Sequence, residues 1–237
     1  MDSRDRLVFA LDVPDGREAL RLVDALRAEV GAFKVGLELF CAEGPALVRE
    51  ISARGGAVFL DLKLHDIPAT VGRAVDRALS GGGVRWLTVH TAGGREMLET
   101  AVAVAGERAG ILGVTVLTSL DEAGAAEAGL AVPLADLVVR RAKLAAGCRC
   151  AGVVASAREA GAIRRALGVG PLIVTPGIRP PGAAAGDQQR TATPGEAIAA
   201  GADVLVVGRP IRDAGDPVAV ARGIRGAIEA AREGAVR

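Results

Sequence analysis

Between positions 61 and 66 the chain carries an acid, a base and a second acid, Asp61, Lys63 and Asp66, directly after the apolar run Ala57-Val58-Phe59-Leu60. Side chains of a strand alternate between its faces, so Asp61 and Lys63 are expected to share one. A strand buried on both faces is ordinarily almost all Val, Ile and Leu, and charge there is costly unless paired. The group is therefore either a structural ion pair at a strand end or a device for moving a proton. An ammonium held against carboxylates keeps its charge and can donate a proton to a reacting atom.

Lys34 poses the same question, because its neighbours Phe33, Val35 and Gly36 are apolar or small. Alone it reads equally as a lysine snorkelling from a strand end; beside Asp61 and Lys63 it extends the charged group. A second constellation is suited to anions. Thr175-Pro176-Gly177-Ile178-Arg179 and Gly208-Arg209-Pro210-Ile211 combine glycines, which let the backbone approach a ligand, with arginines, whose planar fork matches a phosphate. Gly-Arg-Pro by itself also suits an ordinary turn. Between them, Pro180 to Arg190 is polar, rich in Pro and Gly, and long for a connection. Either it is loose surface or it is a lid, in which case Gln188 is the polar group carried to the substrate. His65 and His90, with Asp66 nearby, lack both an H-x-x-x-H pair and a third spaced ligand, so a turn-stabilising role is expected for each and no metal site is assigned.

These residues need elements to hold them. Short apolar runs at 7–11, 33–36, 57–62, 86–90, 111–117, 151–155, 172–175 and 204–207 read as strands. Helical periodicity follows through Leu20, Val23 and Leu26, and again near 43–54, 69–80, 95–107, 133–146 and 216–233. Eight repeats of strand and helix with no break in composition predict an α/β protein, a single (β/α)8 TIM barrel forming one domain over residues 1–237. A doubly wound sheet is the alternative, but its glycine-rich G-x-G-x-x-G turn is missing. In a barrel the active site lies at the C-terminal ends of the strands, and Asp12, Lys34, Asp61, Lys63, Thr118, Arg179 and Arg209 all fall there.

Composition narrows the function classes. Half of the 237 residues are hydrophobic, and the net charge of +1 supplies no broad basic field for nucleic acid or an anionic membrane. Aromatic content of 2%, with no Tyr and one Trp, argues against a surface for stacking bases. Cys41, Cys148 and Cys150 lack zinc-site spacing and are expected to be small core or near-core residues in a reducing compartment. The charged start, Met1 to Arg6, runs into a strand without the apolar segment of a signal peptide, and no stretch is apolar for long enough to span a membrane, so a cytoplasmic protein is expected.

Taken together, Ala10-Leu11-Asp12, Lys34, Asp61-Leu62-Lys63-Leu64-His65-Asp66-Ile67-Pro68, Leu117-Thr118-Ser119, Thr175 to Pro180, Gly186-Asp187-Gln188 and Val207 to Ile211 resemble the bacterial type of orotidine 5'-monophosphate decarboxylase family, in order and over nearly the whole chain. Asp-x-Lys-x-x-Asp alone is shared with sugar-phosphate decarboxylases and aldolases; its combination with His-Asp-Ile-Pro and Gly-Asp-Gln is the specific part. Ala69 stands where the family commonly has a polar residue and Leu64 where it often has an aromatic one, and neither carries a reacting group. The resemblance implies decarboxylation of orotidine 5'-monophosphate to UMP and CO2, the last step of UMP biosynthesis, without cofactor or metal. It implies a homodimer, with Lys34, Asp61 and Lys63 in a charge array completed by Asp66 and Thr70 reaching into the partner's site. Lys63 would stabilise and protonate C6, Thr118 would contact the pyrimidine, and Asp12 and Lys34 the ribose hydroxyls. Arg179, Gln188, Gly208 and Arg209 would hold the phosphate region. Two other functions compete: a sugar-phosphate enzyme of the same superfamily that uses a divalent metal, and a barrel that binds nucleotide phosphate without catalysis.

Overall fold

Eight parallel strands close into a barrel in sequence order, β8 returning to pair with β1, in a computed structural model that describes residues 1–180 and 191–236. The first half runs β1 (Leu7–Ala10), α1 (Gly16–Leu26), β2 (Ala32–Gly36), α2 (Leu37–Ala53), β3 (Val58–Leu64), α3 (Pro68–Leu79), β4 (Val84–His90) and α4 (Gly94–Ala105). The second half runs β5 (Gly110–Val114), α5 (Glu122–Glu127), α6 (Leu134–Gly147), β6 (Gly152–Val154), α7 (Ala157–Leu167), β7 (Leu172–Thr175), α8 (Pro194–Ala199), β8 (Val204–Val207), α9 (Arg209–Arg212) and α10 (Pro217–Val236). Because both faces of such a sheet are covered, most strand residues are buried, those of β1 and β8 completely, which is why each strand reads as an apolar run.

Alternation divides the core in two. Val8, Ala10, Ala32, Phe59, Trp86, Leu112, Val174, Val204 and Val206 point inward and fill the barrel, with Phe59 and Trp86 edge to face at 6.1 Å between centroids. The intervening residues pack against the helices in a larger cluster that includes Leu7, Phe9, Phe33, Val35, Leu60 and Leu205. Caps fix where helices begin: the Asp15 carboxylate accepts from Glu18 N at 2.9 Å to start α1, and Pro68 and Pro194 open α3 and α8, where a missing N–H costs nothing.

Three expectations need correction. β5 ends at Val114, not 117, because the chain turns away and Leu120 N bonds Leu117 O. α2 begins at Leu37 instead of near 43, as two helical pieces joined at Gly44, whose φ of 64° and the Pro45 that follows break the ladder. Cys41, on the first piece, is exposed, whereas Cys148 and Cys150 are buried as expected.

Candidate functional site

The strand register sets the charged group. Ala10 pairs with Lys34, Lys34 with Phe59, and Gly36 with Asp61, so Asp12, Lys34 and Asp61 stand around one rim of the barrel mouth, one layer above the Phe59 and Trp86 floor. Lys34 Nζ bonds Asp12 Oδ1 at 2.9 Å and lies 3.9 Å from Asp61 Oδ2; Lys63 Nζ bonds Asp61 Oδ2 at 2.8 Å. Acid and base alternate through four side chains. The inner three are shielded, at 13% exposure for Lys34, 15% for Asp61 and 32% for Lys63, so their attractions are screened less than those of surface pairs. Gly36 leaves the room this requires, since a Cβ there would lie 3.0 Å from Lys34 Nζ.

Lys63 reaches Asp61 by a route that simple alternation misses. Leu60 pairs with Leu87 and Leu64 with Val89, so three residues of β3 bulge opposite Thr88 alone, and Lys63 adopts a left-handed φ of 49°. A non-glycine residue there is strained by about 1 to 2 kcal/mol. The bulge aims the lysine back over the barrel mouth. Thr88, fully buried, sits beneath it: Lys63 N donates to Thr88 Oγ1 at 2.8 Å, and Thr88 Oγ1 lies 3.1 Å from Asp61 Oδ1. Thr88 was absent from the expected site, and its only signal in sequence is a hydroxyl in the apolar run Trp86-Leu87-Thr88-Val89.

Across the mouth, Arg179 after β7 and Arg209 after β8 line the same cavity, of about 240 Å³, together with Gly177, Gly208 and Thr118. Its apolar wall includes Phe59, Val114, Val116, Val154, Pro176 and Val206; apart from Pro176, which belongs to the quoted loop after β7, none was expected at the site, because such residues look like any core. Asp12 is held from behind, Arg212 Nη1 donating to its carbonyl at 2.7 Å. Among the described residues, four cations and two carboxylates line one cavity, a set suited to a ligand that carries negative charge.

Of the expected site residues, Asp12, Lys34, Asp61, Lys63, Thr118, Arg179, Gly208 and Arg209 come together there. Asp66 and Thr70 do not line it. Asp66 is exposed at the approach to α3, its carboxylate accepting from Ile67 N at 2.6 Å, next to an Ile67 side chain left 65% exposed. Gln188, with the 181–190 part of the expected lid, lies outside the described residues.

The histidines stack on each other at 5.4 Å, and His90 Nδ1 accepts from Ala92 N at 3.4 Å at the turn after β4. Burial, reinforced by the nearby charges of His65, Arg141 and Lys63, pushes His90 down to about 4, which leaves it neutral at physiological pH and able to accept that bond. Among the described residues, no cluster of three or more His, Cys, Asp or Glu is arranged to hold a metal, and no helix is long and apolar enough to cross a membrane.

Comparison with known proteins gives a consistent result. The family model described as Orotidine 5'-phosphate decarboxylase / HUMPS family matches residues 5–224. Orotidine 5'-phosphate decarboxylase of Anaeromyxobacter sp. (strain K) is 55% identical over 224 residues, 94% of this chain and 98% of that protein. The protein of the same name from Moorella thermoacetica is 51% identical over 238 residues, 97% of this chain and 94% of that one. Among solved structures, orotidine 5'-phosphate decarboxylase from Lactobacillus acidophilus superposes with a TM-score of 0.84 at 32% identity, covering 94% of this chain and 98% of that chain.

Proposed function

Since this chain belongs to the orotidine 5'-phosphate decarboxylase / HUMPS family, we propose that it is a single-domain cytoplasmic enzyme that converts orotidine 5'-monophosphate to UMP and CO2, with Lys63 as the proton donor. The observation that carries the reading is the alternating array from Asp12 through Lys34 and Asp61 to Lys63, facing two arginines across one cavity. Breaking the bond from C6 to the carboxylate leaves an electron pair in the plane of the ring, with no adjacent group to delocalise it. The ammonium of Lys63, already fixed by Asp61, offers charge stabilisation that needs no reorganisation, and its proton then goes to C6. The neutral amine left behind regains a proton from water. Such a barrier reduction belongs at the upper end of the ~8 to 23 kcal/mol that enzymes supply.

The remaining roles are those the family resemblance implies, and the shared cavity lined by Asp12, Lys34, Thr118, Arg179, Gly208 and Arg209 supports them. Thr118 contacts the pyrimidine, Asp12 and Lys34 the ribose hydroxyls, and Arg179, Gly208, Arg209 and Gln188 the phosphate end. Binding energy gathered at the phosphate, remote from C6, can be spent on ordering the reacting end. Asp66 and Thr70, turned away from their own chain's cavity, complete the array of a partner subunit in a homodimer. The test is the fall in substrate absorbance when purified protein is added to orotidine 5'-monophosphate, with and without EDTA. Turnover indifferent to the chelator is expected. Binding of UMP with no release of CO2 would refute catalysis, and activity abolished by EDTA would favour the competing reading, a metal-dependent enzyme of the same superfamily.

A further inference from the structure

We propose that Thr88 is a positioning residue of the charge array, its single hydroxyl holding both the bulged backbone of Lys63 and the carboxylate of Asp61. This rests on the assignment of Lys63 and Asp61 to the reaction. The bulge leaves Thr88 alone opposite three residues of β3, and Lys63 N takes the Thr88 hydroxyl as its acceptor at 2.8 Å. The same oxygen spends its one proton on Asp61 Oδ1 at 3.1 Å. That oxygen of Asp61 is thereby satisfied, and Oδ2 is left to face both Lys63 at 2.8 Å and Lys34 at 3.9 Å.

The residue type suits the task. Threonine is stiff at χ1, so its hydroxyl is placed by the strand itself, and full burial excludes water as a substitute partner. Serine would supply the same atom with more freedom, and valine the same shape without it. Lys63 sits at a left-handed φ of 49° that it would not adopt unaided. Without the hydroxyl, Lys63 N loses its acceptor and Asp61 can rotate, moving the ammonium relative to C6 by enough to matter, because displacements near 1 Å already cost about 100-fold.

The experiment compares Thr88→Val and Thr88→Ser with wild type for kcat and KM on orotidine 5'-monophosphate, for UMP affinity and for thermal melting. Thr88→Val is expected to lower kcat by about 10- to 100-fold, the loss that accompanies removal of a hydrogen bond to a charged group, with KM and UMP affinity within about 3-fold. Thr88→Ser should retain kcat within about 3-fold, marking the hydroxyl and not the methyl as the active feature. Should Thr88→Val fail to melt cooperatively, Thr88→Ala, which adds no bulk, takes its place with the same expectation. Unchanged kcat in the hydroxyl-free variant, or an equal loss in Thr88→Ser, overturns the proposal, as does a parallel rise in KM and weakening of UMP binding. A wild-type protein that does not decarboxylate at all would instead sink the proposed function, so the two failures are told apart.

Discussion

A lysine that both stabilises and protonates a carbanion should be far more important to turnover than to binding. Lys63 Nζ touches Asp61 at one end of the cavity, whereas Arg179 and Arg209 line the other. Lys63→Ala is therefore expected to lower kcat by at least about 1000-fold, combining lost electrostatic stabilisation with lost proton donation. UMP affinity, measured by calorimetry, should stay within about 10-fold. Turnover near wild type would remove Lys63 from the mechanism. His90 gives a separate prediction, about stability. Its folded pKa is depressed to about 4 from an ordinary 6.5, so between those values the unfolded chain binds a proton that the folded chain does not. Stability then rises with pH across that window; the contribution is complete above pH 6.5 and is lost as pH falls through 4. Because the ring is only half-buried, solvent screening cuts the effect to on the order of 1 kcal/mol. His90→Gln, neutral at every pH, should flatten the difference in denaturant midpoints between pH 7 and pH 4.5, and an unchanged pH slope would contradict the assignment.

Strands place these residues, and close strand contacts have their own requirements. Gly152 on β6 pairs with Leu172 on β7, and a Cβ there would lie 2.3 Å from the Leu172 carbonyl oxygen, a backbone atom that cannot step aside. Gly152→Ala is expected to destabilise by roughly 3 kcal/mol, the upper end of overpacking costs, which for a chain of this size corresponds to a Tm lower by about 6 to 12 °C. At 25 °C kcat should be unchanged, since no group of the charge array moves with β6. Melting by circular dichroism beside an activity assay separates the two. The barrel itself was legible because every strand of a covered parallel sheet must be apolar, and the ends of those runs located Asp12, Lys34, Asp61 and Arg209. The bulge was not, because register is a relation between strands: nothing in Leu60 to Leu64 announces that Thr88 will face three residues of β3. The kink in α2 could be read only as a late helix start, since a helix resumed after Gly44 and Pro45 looks, by periodicity, like one that begins there.

At the scale of the whole molecule the question is whether one chain holds a complete site. Asp66 follows Lys63 by three residues, yet its carboxylate caps Ile67 N outside the cavity, and the exposed Ile67 beside it offers apolar surface for a second copy. A two-fold interface is self-complementary, so if Asp66 serves the neighbour, each site draws Lys63 from one subunit and Asp66 from the other. That arrangement has a consequence that no arrangement within one chain can imitate. Lys63→Ala and Asp66→Ala homodimers should each be nearly inactive. When the two variants are unfolded together and refolded as an equal mixture, random pairing makes about half the dimers mixed. In a mixed dimer one site has lost both groups, while the other joins the intact Lys63 of one chain to the intact Asp66 of its partner. Activity should therefore recover to roughly one quarter of wild type per subunit, with the KM of the native site. A mixture that stays as inactive as its components would place Asp66 in its own chain's chemistry or outside catalysis altogether. An Asp66→Ala homodimer of near wild-type kcat would remove it from the site.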